Sequence, residues 1–154
     1  MKEFSGHPSD AAARIIDVNL NRLTEGLRVV EDVVRLALEN RRLLACIRKL
    51  RTQVGRDVLA LRRQVIPGRR SEFDLGRGDR FDRARRKSLE DVLLANFKRA
   101  EESSRVLEEV LKVSDPDLAG KFKAVRFRLY DIEREALEEC EMGCSRMPRR
   151  GSRN

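Results

Sequence analysis

One fourteen-residue pattern of this chain occurs twice. Residues 18–31 align without a gap on residues 95–108, and both copies carry the pattern N-x-x-R-x-x-E-x-x-R-V-x-E, as Asn19, Arg22, Glu25, Arg28, Val29 and Glu31 and again as Asn96, Arg99, Glu102, Arg105, Val106 and Glu108. A small residue also recurs, Gly26 in the first copy and Ser103 in the second. The segments that follow correspond more loosely, residues 47–51 resembling residues 122–126. Two copies of one helical hairpin predict an all-α four-helix bundle with pseudo-twofold symmetry.

Wound at about 100° per residue, the first copy puts Ile15, Val18, Leu23, Leu27, Val29, Val30 and Val33 on one apolar face, with Asn19, Arg22 and Gly26 on the same stripe. The second places Asn96, Arg99 and Ser103 among Leu89, Val92, Ala100, Val106, Leu107 and Val110. A buried polar group without a partner costs about 1–3 kcal/mol, and a charge more. Other residues or a ligand must therefore satisfy these side chains.

The hairpins are predicted as residues 9–65 and 88–139, separated by a basic, Gly-containing loop at 66–87 and followed by a basic flexible tail at 140–154. Ser9 or Asp10 can cap a first helix running to about Glu39, with Asn40 as its stop. The second helix has the stripe Leu43, Ile47, Leu50, Val54, Val58, Leu61, Val65, and Pro67-Gly68 ends it. Ser88 and Asp91 make a capping box for a third helix to about Lys112. Ser114-Asp115-Pro116 opens a fourth, with stripe Leu118, Phe122, Val125, Leu129, Ile132, Ala136 and an end near Glu139. A loop of roughly twenty residues in so small a domain is uncommon and often functional.

No apolar run reaches the roughly 18 residues of a membrane span, and the start lacks a signal-peptide core, which predicts a cytoplasmic protein with no membrane partner. Cys46 reads as a small core hydrophobe; Cys140 and Cys144, without a nearby His, make a poor metal site. The net charge of +8 is concentrated: residues 41–87 hold 16 Lys or Arg against 5 Asp or Glu, a net of +11, and the remainder is at −3. Such a segment attracts anions, whether nucleic acid, acidic membrane or phosphorylated small molecules. Gly76-x-Gly78 lacks the third glycine and the preceding strand of a dinucleotide fingerprint, no phosphate-binding G-x-x-x-x-G-K-[ST] is present, and Arg77-Gly78-Asp79 is a chance tripeptide.

The run Arg14, Asp17, Asn19, Asn21, Arg22, Glu25, Gly26, Leu27, Arg28, Val29, Glu31, Asp32, with its partner Asn96, Phe97, Lys98, Arg99, Glu102, Arg105, Leu107, Glu108, Glu109, strongly resembles the small monofunctional hydroxymethylpyrimidine phosphate kinase of bacterial thiamin biosynthesis. That family occurs alone or fused to thiamin phosphate synthase, and the chain reads as its standalone form. Residues 70–76 resemble the family's central loop and residues 122–133 its last helix; beyond Gly76 the chain departs into a denser basic run. The resemblance implies transfer of the ATP γ-phosphoryl group to 4-amino-5-hydroxymethyl-2-methylpyrimidine phosphate, with Mg²⁺. Such chemistry needs positioning and charge neutralisation, from guanidinium or ammonium clamps and carboxylates that hold the metal.

On that reading Arg22, Arg99 and Lys98 are the catalytic cations, and Asn19, Asn96, Gly26, Arg28 and Arg105 contact the substrate. Arg70, Asp74 and Gly76 close over the nucleotide, and Asp17, Glu25 and Glu102 are the candidate metal ligands. Purely structural roles compete: surface ion pairs for Arg28 and Arg105, an Asn19–Asn96 register bond, and buried pairs of Arg22 and Arg99 with Glu25 and Glu102. Two other classes stay open. One is a basic helical protein binding nucleic acid through the loop; the other is a bundle, homodimeric or not, that holds a phosphorylated ligand without turning it over.

Overall fold

A computed structural model describes residues 9–78 and 85–146. The described residues are mostly helical, in α1 (Asp10–Val33), α2 (Arg41–Asp57), α3 (Leu59–Val65), α4 (Leu89–Leu111) and α5 (Pro116–Arg146), with no strand among them. The duplicated motif supplies the two central helices, α1 and α4, which share the largest contact; α5 packs on α4, and α2 with α3 on α1. A helical bundle is thus the architecture, as the repeat requires.

Local chemistry sets the boundaries. The Ser9 hydroxyl accepts the Ala12 N–H at the head of α1, and Ser88 and Asp115 do the same for Asp91 and Leu118. The capping box at α4 is shifted by one residue, since the Asp91 carboxylate accepts from the Lys87 N–H rather than from the cap. Helix α1 does not run unbroken to Glu39. It passes at Val34 into one π-helical turn and stops where Glu39 takes a left-handed φ of 52°. Asn40 then begins α2, its side chain accepting the Leu43 N–H. The expected second helix is interrupted at Val58, which divides α2 from α3. The last helix extends to Arg146, past the expected stop at Glu139; a lone Gly143 costs it only about 1 kcal/mol.

The core register of α1 and α4 differs from the expected stripe. Ile16, Leu20, Leu23, Leu27, Val30 and Val34 are buried, and Leu93, Phe97, Ala100, Ser104, Leu107 and Leu111 occupy the same places in the second copy. Ile15 and Leu89, expected inside, are exposed, and Arg22 and Arg99 are exposed as well. With apolar residues at 15, 16, 18 and 20, α1 could bury either of two adjacent faces. The leucines at 20, 23 and 27 decide for the second. The stripes expected for the outer helices are buried as predicted, and Cys46 packs at the edge of the core.

Polar residues recur at seven-residue spacing along the flank of each central helix. Asp17, Thr24 and Glu31 form that row in α1; Glu101 and Glu108 continue it in α4, where Leu94 stands in the place of Asp17. Asp17, Glu31, Glu101 and Glu108 are all buried. Glu31 accepts from Arg48 at 3.1 Å and from Arg51; Glu108 accepts from Arg126 at 2.8 Å and from Arg105 at 3.1 Å. The final Glu of the repeated motif is therefore a tie between helices, from α1 to α2 and from α4 to α5. Burial opposes charge on Glu108, but the bonds from Arg126 and the nearby cations outweigh it and hold the carboxyl below its usual range.

Candidate functional site

The N-terminal half of α1, including the start of the first motif copy, forms one wall of a cleft of about 810 Å³, and residues 69–75 form the other. That volume lies within the range of small-molecule sites. The second wall begins where α3 ends: Pro67-Gly68 closes a 3₁₀ turn beside α1, where a Cβ on Gly68 would come into ordinary contact with the Ala13 side chain at 3.9 Å, and the arginines that follow return onto α1.

Arg69 grips Asp17 through both ends of its guanidinium, Nε to Oδ2 and Nη2 to Oδ1, each at 2.7 Å. Asp17 is buried, and its bond and charge push the Arg69 pKa further up. Arg70 reaches Asp10 at 3.2 Å. Beyond them the Asp74 carboxylate accepts the Gly76 N–H at 2.9 Å, a side-chain turn that folds the loop onto itself. On the helix wall, Arg62 donates to Asn21 Oδ1 at 2.9 Å, and Asn19 Nδ2 donates to the Ile15 carbonyl at 2.9 Å. Asn19 is only 6% exposed, lines the cleft, and has no partner for Oδ1 among the described residues. Arg14 and Arg22 line the same cleft, exposed and without an ion pair among the described residues. Four guanidiniums, of Arg14, Arg22, Arg69 and Arg70, thus face one concavity against two carboxylates, Asp17 and Asp74.

Of the residues expected at a site, Asn19, Arg22, Asp17, Arg70 and Asp74 come together here; Gly76 is held by Asp74 at the rim but does not line the cleft. The second copy contributes nothing to it. Asn96 is half-buried and donates to the Val92 carbonyl at 2.8 Å, the counterpart of the Asn19 bond, so neither Asn fixes register through the other. Lys98 lies 4.0 Å from Glu102 on the exposed side of α4, and Arg105 pairs with Glu108 and Glu109. Arg28, Arg99 and Glu25 are exposed and outside the cleft. Arg22, Glu25, Arg99 and Glu102 are all exposed, so neither arginine sits in a buried pair with the neighbouring Glu. Gly26 lies outside the cleft, and a Cβ there would meet the Asn96 carbonyl oxygen at 3.0 Å, so its small size lets α1 and α4 approach closely. Arg69, Arg14 and Arg62 were missed. Asp17 held the clue to Arg69, since with Ala13, Ile16 and Leu20 it completes a buried i, i+3, i+4, i+7 stripe on which a carboxylate needs a cation.

Asp17, Glu25 and Glu102 do not converge, and no group of three or more His, Cys, Asp or Glu able to hold a metal exists among the described residues. No helix among them is long and apolar enough to cross a membrane. Expectations placed on Asp79, on residues 80–84, on the Cys144 side chain and on the tail at 147–154 lie outside the described residues.

The profile of the ThiD2 family matches residues 14–135, from the cleft arginine Arg14 to the end of the α5 core stripe. The chain belongs to the ThiD2 family. The match spans both copies of the motif and the loop between them. Among curated relatives, the thiamine-phosphate synthase of Synechococcus sp. (strain CC9605) is 41% identical over 122 residues, covering 79% of this chain and 34% of the relative. That of Gloeobacter violaceus is 40% identical over 124 residues, covering 80% and 36%. That of a Prochlorococcus marinus strain is 33% identical over 128 residues, covering 82% and 36%. This ThiD2 chain thus spans about a third of the length of the curated relatives it matches. No solved structure matches it.

Proposed function

We propose that the chain acts in thiamin biosynthesis, transferring the γ-phosphoryl group of ATP to 4-amino-5-hydroxymethyl-2-methylpyrimidine phosphate. Membership of the ThiD2 family and likeness to proteins named thiamine-phosphate synthase support the pathway. One observation supports the reaction class: four guanidiniums line a cleft between the N-terminal half of α1 and the 69–75 loop. An oxygen of the acceptor phosphate attacks the γ-phosphorus, the bond to the β,γ-bridging oxygen breaks, and ADP leaves with that electron pair. The acceptor oxygen is already ionised near neutral pH, so the chain has to bring two polyanions together rather than find a base. Arg14 and Arg22, unpaired on the helix wall, meet the arriving phosphates; Arg70 lies on the facing loop; Arg69 anchors that loop. Magnesium would accompany the nucleotide's phosphates, and no step is assigned to it.

The charge distribution weighs against the nucleic-acid reading. Within the net +11 segment, six of the 16 Lys or Arg, namely Arg42, Arg48, Arg51, Arg62, Arg69 and Arg70, are bonded to acceptors of the fold itself, which offsets part of the charge that the segment can offer a nucleic acid. The deciding experiment follows ADP release with Mg-ATP and the pyrimidine phosphate, beside the unphosphorylated alcohol. Turnover with the phosphate alone is expected. Folded protein that releases no ADP with either would overturn the kinase reading in favour of a bundle that only binds a phosphorylated ligand.

A further inference from the structure

The cleft has an apolar side that charge neutralisation does not use. Phe73 is 75% exposed, Leu75 97% and Ile15 45%, and all three line it beside the arginines. Single exposed apolar residues are ordinary, but a contiguous group rimmed by polar side chains marks a binding surface. Phe73 sits on a loop tied to α1 by the two Arg69–Asp17 bonds four residues earlier, so its ring is presented from a fixed root. On the helix wall, the Asn19 Nδ2 is spent on the Ile15 carbonyl, while its Oδ1, with no donor among the described residues, is open to solvent at the cleft. An apolar wall, a lone acceptor and surplus guanidiniums together describe a ligand with a flat face, an N–H group on its edge and an anionic end.

We propose that Phe73, with Ile15 and Leu75, is the wall on which an amino-substituted heteroaromatic ring lies, its amino group donating to Asn19 Oδ1 and its phosphate reaching Arg14 and Arg22. The assignment rests on the reading of the cleft as a phosphorylated-ligand site. Two sources carry this chemistry, the aminopyrimidine of the acceptor and the adenine of the nucleotide, and both would stack on an aromatic face.

The chain contains no Trp, so Phe73→Trp places a single fluorescent reporter on the wall. Its emission is titrated with the pyrimidine phosphate, with AMP and with inorganic phosphate. A saturable change with either ring-bearing ligand and none with inorganic phosphate is expected, the ligand acting at lower concentration owning the site. No change with either ring, or a full response to inorganic phosphate alone, overturns the wall. Kinetics separate this from the kinase reading. Phe73→Ala should raise KM for the ring-bearing substrate about tenfold with kcat within about twofold, and Phe73→Tyr should restore it. An active enzyme whose Phe73→Ala variant keeps both KM values refutes the wall and leaves the kinase reading standing. A reporter that responds in a chain without turnover does the reverse.

Discussion

Asp17 and Arg69, 52 residues apart, form a two-point ion pair that pins the root of the cleft loop to the central helix. Arg69 is 43% exposed and can turn to water, whereas Asp17 cannot. Asp17→Asn should keep the fold, lowering Tm by about 2–6 °C as roughly 1–2 kcal/mol of charge-assisted bonding is lost. The loop should be freed at the same time. Limited proteolysis would show faster cutting after Arg69 or Arg70, with kcat/KM falling while the melting transition stays cooperative. Unchanged proteolysis would mean that the loop is held by something else.

Arg22 and Arg99 hold equivalent places in the repeat but not equivalent surroundings, since only Arg22 faces the cleft. Arg22→Ala should lower kcat/KM by about 10²–10³-fold, the usual scale for a lost cation at a transferring phosphoryl group. Arg99→Ala should stay within about fivefold of the parent. Equal losses at both positions would move the site to a place shared by the two halves.

The motif's last glutamates test how far the repeat shapes stability. Arg126→Met leaves Glu108 buried with Arg105 as its remaining close cation, and should destabilise the chain by about 3 kcal/mol. Because the folded pKa of Glu108 is depressed, its contribution is present above the unfolded value near 4.5 and disappears as pH falls below it. The Tm gap between parent and variant should accordingly narrow in acid. A gap independent of pH between about 3 and 6 would show that the pair contributes packing rather than charge.

The architecture was legible because the repeat and the caps are local signals: Ser9, Ser88 and Asp115 cap as their positions suggest, and the outer helices bury the stripes read from them. The site was legible in part. Asn19, Arg22, Asp17, Arg70 and Asp74 meet in space, but the symmetry of the motif suggested twin roles that the cleft does not honour. Only the first half is followed by the 69–75 loop, and Asn96, Arg99 and Glu102 lie outside the cleft that this loop closes. Arg69 escaped because its partner lies 52 residues away, with nothing in its neighbourhood to distinguish it from Arg70.

Gly26 and Gly55 both lie within helices, and opposite responses to alanine are expected. At Gly26 the new methyl meets a backbone oxygen 3.0 Å away that cannot rotate aside, an overpacking cost of about 1–3 kcal/mol that exceeds the gain in helix propensity of about 1 kcal/mol. At Gly55 nothing lies within 4 Å, so the propensity gain stands alone. Gly26→Ala should lower Tm and Gly55→Ala should raise it by a few degrees in thermal melts. A stabilised Gly26→Ala would show that α1 and α4 can shift apart without loss.

Glu101 breaks the symmetry of the repeat, since the first copy has Thr24 in its place. It is buried on α4, its Oε1 finds no hydrogen-bond partner among the described residues, and Glu133 faces it from α5. Burial first, then the bond and charge of Glu133, push its pKa up to about 7; Lys98 opposes the shift and Glu102 adds to it. A carboxyl that titrates near 4.5 when unfolded and near 7 when folded binds more protons in the native state between those values. Stability must therefore fall as pH rises from about 4.5 to about 7, then level off. Glu101→Gln keeps the shape without the charge and should remove that slope, so the variant gains on the parent as the medium becomes alkaline. Chemical denaturation at about pH 5, 6, 7 and 8 reads the difference directly. Parallel curves for parent and variant would mean that Glu101 is ionised throughout and that α4 and α5 tolerate two facing carboxylates.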